Sequence, residues 1–164
     1  MFINSNQGIK LIKAERSDIT DINADFFRRG IHILQSNDAS RMNRIHVWNF
    51  SGSTLADAFK QSEQSHYAIY INDVDEIFIS DIAIWNRMYG IYTTKMWGTL
   101  NSITLDTVGV PIVINTPISF ATTVSNIKIN ANNPVAHQRA AIYVTGSAAA
   151  AASGLSRPGS PGAW

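Results

Sequence analysis

Four acids recur at matching places along the chain. Glu15, Asp38 and the pair Asp75–Glu76 each lie six or seven residues past an isoleucine (Ile9, Ile31, Ile69) that opens an apolar doublet. If successive doublets stack at strand spacing, acids in neighbouring units fall ~5 Å apart and acids two units apart ~10 Å. Paired carboxyls at about 5–5.5 Å suit retaining glycoside hydrolysis, and at about 6.5–9.5 Å inverting hydrolysis. One would act as general acid and the other as nucleophile or base. The spacing permits both outcomes. The competing reading is a solvated turn, where aspartate is common for conformational reasons. After Ile91 the matching position holds Trp97.

The tryptophans carry a different chemistry. "RIHVWNFSG" fills residues 44–52 and "DIAIWNRMYG" fills 81–90, so two of the four tryptophans sit in one repeated phrase. Strand alternation turns Ile45, Val47, Ile82 and Ile84 inward and His46, Trp48, Ala83 and Trp85 outward. Trp48 and Trp85 then stack in an outer column with Asp25, Asp106 and Asn130. Flat aromatic faces rimmed by carboxylates and amides suit sugar rings, which have apolar CH faces and polar edges. The same column also suits an interface between subunits or cover by a neighbouring helix. Asn49 and Asn86 follow at the turn as a hydrogen-bonded ladder. A second outward column reads Lys10, His32, Tyr70, Tyr92, Val113 and Tyr143, again either interface or glycan surface. A third, Asp21, Arg44, Asp81 and Ser102, sets an arginine between aspartates as a charge ladder.

Other chemistries find no support. His32, His46, His66 and His137 lack metal-ligand spacing, and no cofactor is expected. No nucleophile elbow, P-loop or dinucleotide motif is present.

The positioning elements are strands. Apolar doublets begin at Ile9, Ile31, Ile69, Ile91, Ile112 and Ile142, in steps of 22, 38, 22, 21 and 30 residues. A second doublet, beginning at Ile22, Ile45, Ile82, Ile103 and Ile127, follows each of the first five by 12 to 15 residues. Period-two alternation is strand chemistry, and most spacers are too short and too rich in Asn, Asp, Ser and Thr for helical crossovers. The pattern predicts an all-β solenoid of about six coils over residues 1–146. The step of 38 predicts a short inserted helix at 54–64, with Thr54 as N-cap and Leu55, Ala58 and Phe59 at helical spacing. "ANNPVAHQRA" is an irregular excursion. Residues 147–164 form a low-complexity tail that needs partner subunits to order it. The repeat starts by residue 8 with no capping helix, so the first strand edge calls for cover by another chain or a preceding segment.

Bulk properties narrow the partners. A chain of 164 residues with 45% hydrophobic residues suits one packed domain. A net charge of +1 gives no electrostatic footprint for nucleic acid. No apolar run approaches a membrane span, and the N-terminus lacks a secretory signal pattern. Cysteine is absent, which excludes disulfides and thiolate metal sites.

Coils near 22 residues, isoleucine ladders and Asn-rich turns resemble the right-handed parallel β-helix of the pectate-lyase-like superfamily. The phrasing "GIHILQSN…NRIHVWNFS…AIYINDVDEIFISDIAIWNRMYGIY" is similar to bacteriophage tailspikes and tail appendages over roughly residues 8–145. The resemblance implies a homotrimer on a virion tail, acting outside the cell beside other tail proteins. Its ligand would be bacterial surface polysaccharide, bound and often cleaved. Site residues expected on that reading are Trp48, Trp85, Asp106, Tyr70, Tyr92 and Trp97. Alternatives are a polysaccharide hydrolase or lyase using acids among Glu15, Asp38, Asp75 and Glu76, and a non-catalytic bacterial adhesin segment.

Overall fold

The computed structural model describes residues 2–48, 67–115, 121–130 and 142–145. The expected helix at 54–64, the excursion in "ANNPVAHQRA", Asn49 and the tail at 147–164 lie outside the described residues. The described residues are all-β, with no helix among them. Eight strands run β1 (Phe2–Gln7), β2 (Lys10–Ile12), β3 (Asp18–Arg29), β4 (Ile31–Ser36), β5 (Ser40–Val47), β6 (Tyr67–Asn115), β7 (Thr122–Asn130) and β8 (Ile142–Thr145). Every pairing is parallel, in the order β1-β3-β5-β6-β4-β2, with β7 and β8 also on β6. The sheet curls into a half-barrel.

Pairing follows the apolar doublets residue for residue. Leu11 pairs with Ile33, and Ile33 with Ile71. Ile22 pairs with Ile45 and Ile45 with Ile82, while Val47 faces Ile84. Ile103 lies on Ile127 and Ile112 on Ile142. Ile31, Ile33, Ile45, Ile69, Ile71, Ile82, Ile84 and Ile91 are all but inaccessible to solvent. Each such side chain contributes roughly 1.5–3 kcal/mol on burial. A one-residue slip would turn a whole column to solvent, and this is what locks the register.

β6 holds 49 residues, and drawn straight it would extend about 160 Å. Instead it doubles back on itself. Thr94 donates to Asn72, twenty-two residues earlier, and the Thr93 hydroxyl donates to the Val113 carbonyl at 3.5 Å. A Cβ on Gly98 would collide with the Ile77 carbonyl, and one on Gly30 with the Ala68 carbonyl. Glycine is required at both places because two backbone rungs touch there.

Left-handed backbone makes the bends. Thirteen non-glycine residues among those described have positive φ, and they line up across paired rungs. Asp21, Arg44, Asp81, Ser102 and Asn126 form one such row, and Lys13, Gln35, Asp73 and Lys95 another. Each bend breaks the inside–outside alternation. Ile19 and Ile22 are thus on the inner side although three residues apart, with Asp21 between them. A further inner ladder results, in which Ile19 pairs with Met42 and Met42 with Ile79, while Leu100 pairs with Val124. The doublet pattern does not contain it.

Two residues expected to face outward are buried. Val113 belongs to a stretch, Pro111 to Ile114, in which all four residues are covered, so alternation with solvent does not apply there. Asp25 is 1% exposed and paired with Arg87.

Candidate functional site: an aromatic wall and a polar groove

The second doublets form one outer face around β3, β5 and the Asp81–Trp85 stretch of β6. Ile45 on Ile82 and Val47 on Ile84 fix the backbone, and the Trp48 N–H continues that ladder to the Ala24 carbonyl at 2.9 Å. The Trp48 and Trp85 rings consequently meet, with centroids 4.1 Å apart and planes at 77°. The contact is edge-to-face, a favoured aromatic geometry, and not the coplanar platform implied by simple stacking. Trp48 remains 40% exposed. His46 extends the wall, its ring 5.9 Å from Trp85.

Beside this wall lies an open groove of about 370 Å³ lined by Asp21, Asn23, Arg44, His46 and Asp81. Asn23 pairs with His46, and His46 with Ala83, along the same face. Arg44 clamps Asp21 through two bonds, Nε to Oδ1 at 2.6 Å and Nη2 to Oδ2 at 2.7 Å. Its Nη1 donates to Asn43 Oδ1 at 2.8 Å, and Asn43 Nδ2 reaches Asp81 Oδ2 at 3.3 Å. The Arg44 hydrogen bond holds the Asp21 carboxyl below the usual carboxylate range, and Asp21 in turn raises Arg44. The expected charge ladder is thus present at Asp21 and Arg44, with Asp81 joined through Asn43.

Asp25 does not join the rim of the wall. It faces Arg87, whose Nη2 lies 3.2 Å from Asp25 Oδ1 in surroundings that leave the two side chains 2% and 11% exposed. Burial lowers the Arg87 pKa, and Asp25 opposes that shift. Asp106 accepts from Asn130 Nδ2 at 3.2 Å and from the Thr107 hydroxyl at 2.8 Å, so its carboxylate is occupied by its own neighbours. Trp97 is 54% exposed and has no aromatic contact among the described residues.

The tyrosine stripe is larger than expected. Tyr70 stacks on Tyr92 at 5.7 Å and tilts against His32 at 5.3 Å. Tyr67, which no doublet pointed to, lies 5.6 Å from Tyr70, 4.6 Å from Tyr92 and 5.2 Å from Tyr89. Burial, then the neighbouring phenols, push the Tyr67 hydroxyl up to about 12. An aromatic cage for an ammonium needs an open centre. Here Tyr67 lies among the other three rings, so the cluster is not an open cage for an ammonium.

The acid candidates divide. Asp38 accepts from the Ala39 N–H at 2.8 Å and from Arg16 Nε at 2.6 Å, and these bonds, the backbone one foremost, hold its pKa down. A general acid needs the opposite shift. Glu15, Asp75 and Glu76 are exposed. No group of three or more potential metal ligands occurs among the described residues.

No family model matches the chain, and neither does any curated protein or solved structure.

Proposed function

We propose that the chain is a right-handed parallel β-helix of about six coils, a component of a viral tail spike or appendage that recognises host cell-surface polysaccharide. It acts at the virion tail as a homotrimer beside other tail proteins. The observation that carries this reading is the Trp48–Trp85 contact beside a polar groove on the same outer face, joined to it through His46. An apolar wall beside convergent carboxylates, an amide and an imidazole is the chemistry that grips a sugar ring by its CH face and its hydroxyls. The parallel register at steps of 22 to 24 residues supports the solenoid.

Titration calorimetry with purified capsule and lipopolysaccharide glycans tests the reading. Trp85→Ala and Trp48→Ala are expected to weaken binding by about 1–3 kcal/mol each, on the scale of other buried aromatic contacts, and Trp97→Ala to leave it unchanged. Binding that survives both substitutions at the wall rejects the site. Release of reducing ends or unsaturated products, lost in Asp75→Asn, would make the chain an enzyme.

A further inference from the structure

We propose that the groove beside Trp85 selects saccharides that are neutral or carry amino or amide nitrogen, and discriminates against those bearing carboxylate, sulfate or phosphate groups. The proposal rests on the glycan-binding reading above and adds the ligand class. Its basis is the state of the groove's charges.

The lining residues supply two carboxylates, Asp21 and Asp81, and one guanidinium, Arg44. Arginine recognises a ligand anion by presenting a free two-pronged fork. Arg44 offers only part of that fork. Its Nε and Nη2 each donate to Asp21 and its Nη1 to Asn43, which leaves one N–H on Nη1 and one on Nη2, and the Asp21 carboxylate offsets its charge. Asp21 and Arg44 also shift each other towards the charged forms, so the pair stays ionised and closed.

Asp81 is the opposite case. Among the described residues it accepts one long bond, from Asn43 Nδ2 at 3.3 Å, and that bond uses only Oδ2. An ionised carboxylate accepts and never donates. The carboxylates of the groove call for hydroxyls, amide N–H groups and ammonium, while Asn23 and His46 add a few N–H donors suited to hydroxyls. A ligand carboxylate entering the groove would meet two carboxylates and a single guanidinium already paired with one of them. Asp21 and Arg44 are both well exposed, so the discrimination is modest and fades with salt.

An array of bacterial surface polysaccharides, sorted into neutral, amino-sugar-bearing and acidic classes and read at low ionic strength, tests this. The wild-type chain is expected to bind acidic members about two- to fivefold more weakly than neutral ones, the scale of one uncompensated surface charge. The double variant Asp21→Asn/Asp81→Asn frees the Arg44 fork and should narrow that gap. Asparagine tolerates the left-handed backbone found at both positions, so the variant keeps the fold. Trp85→Ala should weaken all classes alike. Acidic polymers bound as tightly as neutral ones, or a gap untouched by the double variant, overturn the proposal and leave the glycan-binding reading standing. Binding to no class of polysaccharide overturns that reading itself, and this proposal with it.

Discussion

Arg87 and Asp25 meet across 62 residues of sequence in a covered site, and their consequences are measured one side chain at a time. Removing the guanidinium takes from Asp25, a buried carboxylate, one of the interactions that compensate its charge. Arg87→Met should therefore cost about 3–5 kcal/mol in a urea unfolding titration, and the double variant Asp25→Leu/Arg87→Met should recover much of that loss. Tyr67 offers a second test at this scale. Its folded pKa lies above the unfolded value, so its contribution is complete below about pH 10 and is lost as pH rises towards 12. Absorbance at 295 nm should record one late phenol ionisation near 12, absent in Tyr67→Phe. Neither feature could be read from the sequence. Alternation assigned Asp25 to the outside, and the arrival of Arg87 two rungs away helps to make a buried carboxylate tolerable there. Tyr67 precedes its doublet and joins the cluster because Tyr70, Tyr89 and Tyr92 surround it.

Strands and bends behave differently under reading and under mutation. The doublets were legible because parallel pairing repeats the same inward positions on every rung, and Ile31, Ile69 and Ile45, Ile82 pair as that periodicity requires. Truncating one of them, Ile45→Ala, should destabilise the chain by about 2–5 kcal/mol, since the rungs on either side prevent collapse into the void. The bends were illegible. Left-handed backbone is commonest in glycine, asparagine and aspartate, yet here Lys13, Arg16, Gln35, Arg44, Lys95 and Thr107 also adopt it. Their side chains carry no local signal, and pairing with the rungs above and below imposes the conformation. The consequence was a missed ladder, since Ile19, Met42 and Ile79 fall out of phase with the doublets that follow them. Gln35 is exposed with φ of 55°, which makes it a clean probe. Gln35→Asn should be neutral or stabilising by up to about 1 kcal/mol, and Gln35→Val destabilising by more than about 1 kcal/mol, because a β-branched side chain crowds that backbone. Denaturation midpoints of the two variants decide it.

For the whole molecule, acid sensitivity and assembly are the observables. The Arg44 hydrogen bond holds the Asp21 carboxyl below its ordinary value, and the Ala39 N–H with Arg16 does the same for Asp38. A depressed folded pKa contributes stability that is present above the unfolded value near ~3.9 and lost as pH falls through the folded one. Melting temperature should accordingly fall as pH drops below about 4, and the double variant Asp21→Asn/Asp38→Asn should flatten that fall. The all-β class and the strand register were open to sequence reasoning because they depend on apolar spacing alone. The groove was not, because it depends on Arg44 turning to Asp21 beside Asn23, His46 and Asp81, which is a matter of side-chain direction. The most direct test is a crystal structure with a bound oligosaccharide drawn from whichever surface glycan the chain retains. The result expected is a sugar ring against Trp48 and Trp85 with a hydroxyl or amide donating to Asp81. A sugar seated over Tyr70 and Tyr92, or a sister chain covering both tryptophans, would contradict it.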